Sequence, residues 1–357
     1  MAVGNSTYIS LMVFCLLLGC CCFILTEYIV AVLFISIGIY IGSKAVPRGR
    51  LSPNNKAVFI TGCDTGFGHS LALRLDQLGY LVYAGCLFPD RENAKLLSTS
   101  STTNRLTIVA CDITSEESVL AAKETAQKSL PKGFCLWAIV NNAGIWTYGE
   151  IEITQMETFK SIAEVNVYGT IRVTKAFLPM IRRCKGRVIN VGSIGGISAI
   201  PGNGAYCMTK YAIECFNDTL RYEMSPWGVT VCLIQPGQYG KATNIGINNI
   251  ENISEEIWKN VPEDVKDDYG KEHQDGMSDF YRKGREYCYG DATPVVDSMV
   301  DSVTSRTPRH RYLVGGLIIT YVQMYMMEML PSWLGDLQFI SVMNSMLPLP
   351  AYVKSQQ

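Results

Sequence analysis

The sequence predicts an α/β fold built on a doubly wound parallel sheet, preceded by a hydrophobic N-terminal membrane anchor. Short apolar runs alternate with longer helical patterns from residue 56 onward, which is the rhythm of parallel strands joined by crossover helices. A glycine-rich turn follows the first of these runs, and the first 43 residues are strongly apolar. The 357 residues are enough to bury one large domain or two small ones.

The composition excludes several classes of function. A net charge of −1 without a dense basic face argues against a nucleic-acid partner. The histidines His69, His273 and His310 lie far apart and away from any cysteine pair, so we expect neither a metal site nor a Ser-His-Asp triad. The 13 cysteines contain no Cys-x-x-Cys pair, and we interpret them as buried thiols in a reducing compartment.

Residues 1–43 are predicted to form the membrane anchor. An apolar run extends from Tyr8 to Leu25, Thr26-Glu27 interrupts it, and it resumes from Tyr28 to Gly42. As helices the two runs would be about 27 and 22 Å long, against a hydrocarbon core of about 30 Å. We therefore expect one or two helices, either a hairpin that turns at Glu27 or one span with an interfacial segment.

The charges that follow the anchor predict its orientation. The first 43 residues contain no Lys or Arg, which disfavours a cleaved signal peptide and a mitochondrial presequence. Lys44, Arg48 and Arg50 come next, within a linker at 44–55, and by the positive-inside rule they hold the main domain in the cytosol. We expect the endoplasmic reticulum membrane, with a mitochondrial membrane as the alternative. A buried hydrophobic hairpin in a soluble protein is the other interpretation of this segment.

The main domain opens with a strand, a glycine turn and a helix. Lys56 to Thr61 has the composition of a buried strand, and the helix continues through Leu71, Leu75 and Leu78. This is the context that a Rossmann-type dinucleotide fingerprint requires, because the glycines let backbone N–H groups and the helix N-terminus approach a pyrophosphate. The candidate residues of the turn are Gly62, Asp64, Gly66, Phe67 and Gly68.

Five further strands and a long helix complete the predicted sheet. The helix, from Met156 to Met180, carries Asn166. The strands are predicted within Leu81 to Cys86, Leu106 to Cys111, Leu136 to Gly144, Arg187 to Ser193 and Val229 to Gly237.

Tyr206 and Lys210 stand four residues apart, so a helix places both side chains on one face. A tyrosine normally loses its proton near pH 10, and an ammonium one turn away should lower that pKa toward neutrality. Ser193 ends the preceding strand and offers a hydroxyl that can polarise a carbonyl. A Tyr–Lys pair with this spacing is more often a solvated surface pair, so the other motifs must support the catalytic interpretation.

Taken together and in order, these motifs resemble the short-chain dehydrogenase/reductase family over roughly residues 55–315. The branch they resemble holds membrane-associated 3-hydroxybutyrate dehydrogenase, 17β-hydroxysteroid dehydrogenases and retinol dehydrogenases. The motifs are Thr61-Gly62-x3-Gly66-x-Gly68, Asp112, Asn141-Asn-Ala-Gly144, Asn166, Ser193, Tyr206-x3-Lys210 and Pro236-Gly237.

The resemblance implies a catalytic role for four residues. Tyr206 would exchange the proton, and Lys210 would lower its pKa and hold the nicotinamide ribose. Ser193 would position the substrate oxygen, and Asn166 would order a water that relays protons from Lys210. The alternatives are a turn-bonding hydroxyl for Ser193 and a structural amide for Asn166.

The resemblance also implies a nicotinamide dinucleotide cofactor, with Asp112 at the adenine unless it only caps a helix. We predict NAD in preference to NADP, because Asp64 and Cys86-Leu87 stand where a cation would bind a 2′-phosphate. The acidic residue that usually binds the NAD ribose at the strand end is missing too. The implied cofactor residues are Gly62, Asp64, Gly66, Phe67, Gly68, Asp112, Ile113, Asn142, Ala143, Gly144, Tyr206, Lys210, Pro236 and Gly237.

The chain after the sixth strand is predicted to shape the substrate site. The catalytic domain would span 56–312, with a substrate lid at about 238–292. An apolar extension at 313–357 would either face the membrane or belong to the core.

We therefore predict an NAD-dependent oxidoreductase, a homodimer, acting at the membrane on a small lipophilic secondary alcohol or its ketone, such as a steroid or a retinoid. One alternative is (R)-3-hydroxybutyrate dehydrogenase, although the sequence does not identify a cation for its carboxylate. A second is a catalytically silent dinucleotide-binding interaction module, against which the complete set of four catalytic residues argues.

Overall fold

A computed structural model describes residues 49–243, 245, 250–315 and 347–356, together with positions 28, 31–32, 35–36, 333, 336–337 and 340–341. The chain divides at Gly49 into two units, and the elements below belong to the second, Arg50–Gln357. Most of the predicted anchor and of the predicted C-terminal extension lies outside the described residues. Within the described residues, no helix is long and apolar enough to cross a membrane.

In the described part of the chain, seven strands form one parallel sheet in the order β3-β2-β1-β4-β5-β6-β7. The order reverses between β1 and β4, and open α/β sheets bind ligands at such a switch point, beyond the carboxyl ends of the strands. The strands are β1 Lys56–Thr61, β2 Leu81–Cys86, β3 Leu106–Ala110, β4 Cys135–Asn141, β5 Arg187–Val191, β6 Thr230–Pro236 and β7 Arg311–Val314.

The sheet confirms the predicted α/β class and all six predicted strands. The seventh strand, β7, was not predicted, and it pairs Leu313 with Gln235 of β6. It crosses the predicted boundary between residues 312 and 313, so the sheet domain continues at least to Val314.

Helices cover both faces of the sheet. They are α1 Gly66–Gln77, α2 Glu92–Thr99, α3 Glu116–Ser129, α4 Met156–Ala163, α5 Thr170–Cys184, α6 Gly204–Met224, α7 Ile250–Lys259, α8 Glu263–Tyr269, α9 Lys271–Glu286, α10 Thr293–Thr304 and α11 Ala351–Ser355.

Strand β1 shows why the sequences of the predicted strands are continuously apolar. Its alternate residues Val58 and Ile60 pack with α1, α2 and α10 on one face. Ala57 and Phe59 pack with α3, α5 and α6 on the other. All four side chains are fully buried, as expected for a parallel strand covered on both sides.

The predicted helix from Met156 to Met180 is present with one irregularity. A π-helical turn, Glu164–Gly169, joins α4 to α5, and the helix continues to Cys184. Such turns are rare and often mark functional sites. This one carries Asn166.

Three helices, α7, α8 and α9, occupy the predicted lid region. Their apolar sides pack in small clusters with the loop that follows β4, around Tyr148 and Ile153. Ile257 and Val261 are buried there, so these side chains belong to a core cluster and do not line the cavity described below.

Candidate active site

A cavity of about 700 Å³ opens at the carboxyl ends of the central strands and extends under the lid. It brings together most of the sequence-predicted site, whereas Gly68 and Asn166 are not part of its lining. The predicted residues that line it are Gly62, Asp64, Gly66, Phe67, Asp112, Ile113, Asn142, Ala143, Gly144, Ser193, Tyr206, Lys210, Pro236 and Gly237.

The glycine turn forms a cradle that side chains would fill. Gly62 has a φ of +69°, and a Cβ there would lie 2.8 Å from the Ala143 Cα. A Cβ on Gly68 would lie 2.4 Å from the Gly62 carbonyl oxygen. In the described part of the chain, the N-cap residue Thr65 makes no side-chain hydrogen bond to the first turn of α1. The backbone N–H groups in the first turn of α1 therefore remain available to an anionic group such as a pyrophosphate.

Two polar side chains fix this cradle to the end of β4. The Asn142 amide donates to the carbonyl oxygens of Thr61, at 3.0 Å, and Gly62, at 3.1 Å. The Thr61 hydroxyl accepts hydrogen bonds from the backbone N–H groups of Asn142 and Ala143. Asn142, predicted as a cofactor ligand, thus also holds the glycine turn in place.

The Asp64 carboxylate bridges the glycine turn to the end of β2. It accepts hydrogen bonds from the backbone N–H groups of Leu87 and Phe88, both at 2.9 Å. The strand end that lacks an acidic residue of its own therefore receives a negative charge from the turn. The Asp112 carboxylate accepts from the backbone N–H and the hydroxyl of Thr114, as an Asx turn rather than a helix cap.

A cation that the sequence analysis missed lies near this end of the cavity. Arg91 lines the cavity, and its guanidinium stacks 3.7 Å from the centroid of the Phe88 ring. The expectation that no cation follows β2 was therefore wrong. Arg91 is five residues beyond the strand, and only the fold of the loop brings it to the cavity.

The predicted catalytic side chains meet where β5 ends and α6 begins. Ser193 lies two residues after β5, and its hydroxyl is near enough to the Tyr206 phenol to favour the ionised form of that group. The Lys210 ammonium lies 5.5 Å from the centroid of the Tyr206 ring and donates to the Val191 carbonyl at 3.1 Å. Lys210 is buried and Tyr206 is half-buried, so the predicted Tyr–Lys pair is not an exposed surface pair.

Burial shifts the two pKa values in opposite directions, because it disfavours a charged group. Desolvation raises the pKa of Tyr206 to about 12, although the hydrogen bond with Ser193 lowers it in part. Desolvation lowers the pKa of Lys210 to about 8, and the Glu214 carboxylate opposes that shift. In the protein on its own, burial therefore outweighs the predicted lowering of the Tyr206 pKa by Lys210 and favours the neutral phenol.

Asn166 has a structural role in this arrangement. Its amide donates to the Ile145 carbonyl at 2.9 Å and to the Thr209 hydroxyl at 3.1 Å, and its oxygen accepts from the Ile145 N–H at 2.8 Å. These bonds tie the π-helical turn to α6 and to the loop after β4. These contacts fit the structural-amide interpretation of Asn166, and the water relay stays a prediction.

Glu214 is a residue of the site that sequence reasoning missed. It lies one helical turn after Lys210, accepts from the Gln235 amide at 2.7 Å and pairs with Arg311 of β7. Arg311 also pairs with Asp218 at 2.6 Å. The spacing of Lys210 and Glu214 was visible in the sequence, but the contact with β7 was not.

The far end of the cavity is lined mainly by apolar side chains from the lid and from the loop after β4. The Tyr281 hydroxyl accepts from the Asn203 amide at 2.8 Å and donates to the Pro201 carbonyl at 3.0 Å. The Trp146 indole donates to the Asn203 oxygen at 2.8 Å. Asn203 thus fixes α9 and the Trp146 loop immediately before the first turn of α6. Within the described residues, no group of three or more His, Cys, Asp or Glu side chains could hold a metal ion.

The fold and the site together define a class of enzyme. A glycine cradle that fits a dinucleotide lies in the same cavity as Ser193, Tyr206 and Lys210. Comparison with known proteins agrees, since residues 56–252 match the family model for short chain dehydrogenases. The chain is 44% identical over 268 residues to D-beta-hydroxybutyrate dehydrogenase, mitochondrial, of Bos taurus, covering 72% of this chain and 76% of that protein.

Two further similarities concern the sequence and the fold. 17-beta-hydroxysteroid dehydrogenase type 6 of Bos taurus is 39% identical over 263 residues, covering 73% of this chain and 81% of that protein. The fold matches a short chain dehydrogenase/reductase from Burkholderia phymatum, solved in complex with NAD, with a TM-score of 0.62 at 18% identity. That match covers 76% of this chain and 93% of the solved one.

The chain belongs to the short chain dehydrogenase family and is an oxidoreductase. This confirms the predicted family and enzyme class.

The glycine cradle makes a prediction for the variant Gly68→Ala. Its added Cβ must displace the Gly62 carbonyl, so the turn loses its fit to a pyrophosphate. Loss of one charge-assisted hydrogen bond corresponds to a rise of roughly 10- to 100-fold in the Kd for NADH. Fluorescence titration of NADH measures this. The control is Gly290→Ala, where a Cβ meets no described atom within 4 Å. Unchanged NADH affinity in Gly68→Ala would contradict the role of the cradle.

Proposed function

We propose that the protein is an NAD-dependent oxidoreductase that interconverts a lipophilic secondary alcohol and its ketone. The observation that carries the proposal is the convergence of the Ser193 and Tyr206 side chains beside the buried Lys210 at one cavity. These side chains line the same cavity as the glycine cradle and the apolar lid residues. The arrangement provides hydrogen-bond donors for a substrate oxygen and a proton source without a metal.

The described residues fit a bound dinucleotide. The glycine cradle and the first turn of α1 would hold the pyrophosphate, and Lys210 would hold the nicotinamide ribose. NAD, when bound, supplies or accepts the hydride.

The protein's own residues manage the oxygen and the proton. The hydroxyls of Ser193 and Tyr206 orient a ketone oxygen by donating hydrogen bonds to it. Because the Tyr206 phenol is neutral at pH 7, it can give its proton to the developing alkoxide. In the oxidation direction Tyr206 must first lose that proton, and the adjacent Lys210 ammonium favours the phenolate.

The position of Asp64 supports NAD in preference to NADP. Its carboxylate is held against the backbone at the end of β2, next to where a 2′-phosphate would lie. A fixed negative charge there repels a phosphate. Arg91 is the observation in favour of NADP, but its guanidinium stacks on Phe88.

The apolar lining supports a lipophilic substrate. Trp146, Ile200, Ile245, Phe280 and Cys288 face the cavity at its lid end. The relatives named for 17-beta-hydroxysteroid and retinol oxidation are consistent with a substrate of this kind. The second candidate, (R)-3-hydroxybutyrate oxidation, is favoured by the 44% identity with the bovine enzyme and by an arginine in the cavity, Arg285. The intact Ser–Tyr–Lys group argues against an interaction module without activity.

We also propose that residues 1–43 anchor the enzyme in a membrane, from which a lipophilic substrate reaches the cavity. The family's usual helix-paired homodimer is part of the proposal. It is supported by the exposed apolar side chains of Met208 and Tyr222 on α6.

The variant Tyr206→Phe tests the proposed chemistry. It removes one oxygen, so turnover should fall by about 10²–10⁴-fold, while the Kd for NADH stays near the wild-type value. The measurement is NADH formation from NAD with a panel of steroids, retinol and 3-hydroxybutyrate. Tyr287→Phe, at an exposed position outside the cavity lining, should behave as wild type. Normal turnover in Tyr206→Phe would favour the interaction module instead.

Leu87→Arg tests the assignment of NAD. Leu87 is half-exposed, lines the cavity and lies beside Asp64. A guanidinium there should bind the 2′-phosphate and lower the Michaelis constant for NADP by roughly 10- to 100-fold at best. Leu87→Gln is the uncharged control, and it should leave that constant nearly unchanged. A wild-type enzyme that already prefers NADP would overturn the assignment.

The anchor predicts that the full chain stays in the membrane fraction after alkaline carbonate extraction. Asn252, in the sequon Asn252-Ile-Ser254, is exposed and serves as a reporter of topology. With a cytosolic domain it should carry no glycan, whereas Asn5 gains one only if a single span places it in the lumen. Asn217 cannot report, since it is fully buried. A version targeted to the lumen by a secretory leader is the positive control. Complete release by carbonate, or a glycan on Asn252 in the natural chain, would contradict the proposal.

A further inference from the structure

Helix α9 is held near its middle and at its C-terminal end to neighbouring segments of the cavity wall. Near its middle, the Tyr281 hydroxyl bonds to Asn203 and Pro201, just before the first turn of α6. At its C-terminal end, the Lys241 ammonium donates to the Glu286 carbonyl at 2.8 Å. Beyond that end, the Tyr289 N–H donates to the Gln238 carbonyl at 2.8 Å. The stretch between these attachments therefore covers the cavity.

One face of this stretch is directed into the cavity. Tyr281, Gly284, Arg285 and Cys288 line it, and their spacing of 0, 3, 4 and 7 residues is that of a single helical face. A Cβ on Gly284 would meet no described atom within 4 Å, so there is open space beside Arg285. Arg285 thus lies on a cavity wall that is mainly apolar and aromatic.

Arg285 differs from the other charged groups of α9 and of the cavity. Its neighbour Arg282 pairs with Asp279 at 2.6 Å and Glu251 at 3.3 Å, on the outer side of the helix. Asp64 and Lys210, also in the cavity, are hydrogen-bonded to backbone groups. Among the residues that the structure describes, none forms an ion pair or a side-chain hydrogen bond with the half-buried Arg285.

A half-buried arginine on an apolar surface favours an anion, because its fork of donors matches a carboxylate and an unpaired charge is costly there. We propose that Arg285 binds a carboxylate of the substrate. The substrate is then an amphipathic hydroxy acid, with its carboxylate at Arg285, its secondary alcohol at Ser193 and Tyr206, and an apolar body between the lid and Trp146. This assignment rests on the proposed function and narrows its substrate class.

Two simpler classes of substrate fit the cavity less well. A neutral steroid or retinol would leave Arg285 without a partner. A four-carbon hydroxy acid would leave the apolar lining around Phe280 and Trp146 unfilled. A longer hydroxy acid satisfies both features of the cavity.

The experiment compares acids with their uncharged primary amides. The substrates are 3-hydroxydodecanoate, 11-hydroxydodecanoate, their amides and the neutral 2-dodecanol, each oxidised with NAD. In the wild type, at least one acid should have a KM roughly 10- to 100-fold below that of its amide, the effect of one charge-assisted hydrogen bond. Arg285→Gln should remove that difference by raising the KM of the acid, with little change in kcat. Arg285→Lys should restore part of it.

Lys283→Gln is the matched control. It removes a positive charge from the same helix at an exposed position outside the cavity lining, and it should keep the preference for the acid. The Kd for NADH is measured for every variant, and Arg285→Gln should leave it unchanged.

Three results would overturn the proposal. One is equal KM values for acid and amide in the wild type. Another is an equal rise for both in Arg285→Gln. The third is weaker NADH binding in Arg285→Gln, which would assign the arginine to the cofactor pyrophosphate. Turnover of 2-dodecanol without any preference for the acids counts against the carboxylate site alone. No turnover of any of these alcohols counts against the proposed function as well.

Discussion

The close approach of the glycine turn to the end of β4 is the constraint on which the site depends. Gly62 lies so near Ala143, and Gly68 so near the Gly62 carbonyl, that neither position has room for a side chain. This contact occurs where the strand order reverses between β1 and β4, so it opens the cavity at the switch point. The hydrogen bonds of Asn142 and Thr61 hold the turn there, and the first turn of α1 is thereby directed into the cavity.

Burial then determines the chemistry at the other side of the cavity. The same desolvation that keeps the Tyr206 phenol protonated weakens the hold of Lys210 on its proton. The Val191 carbonyl and the Glu214 carboxylate offset the cost of a buried ammonium. Because Glu214 is itself paired with Arg311, the last strand of the sheet contributes to the electrostatics of the catalytic helix. The site is thus part of the domain core and not an addition to its surface.

The lid gives the cavity a wall that is both apolar and charged. Asn203 connects the Trp146 loop and α9 to the start of α6, so the same residue positions the apolar wall and the helix that carries Tyr206. Arg285 lies on that wall. The wall of the cavity therefore combines apolar side chains with an arginine.

The sequence by itself determined the class of the fold, six of the strands and the Ser193–Tyr206–Lys210 group. These predictions rest on apolar runs, glycine spacing and the four-residue spacing of a helical face. Each of these signals depends only on residues that are close together in the chain. Tertiary structure decided the rest. The short strand β7 lies where the sequence predicted the start of a separate apolar extension, and it forms because β6 offers it an edge. The raised pKa of Tyr206 and the structural bonds of Asn166 arise from contacts between elements far apart in the chain. The same holds for Arg91, Glu214 and Arg285, since charge and burial in a cavity depend on which distant segments close around it.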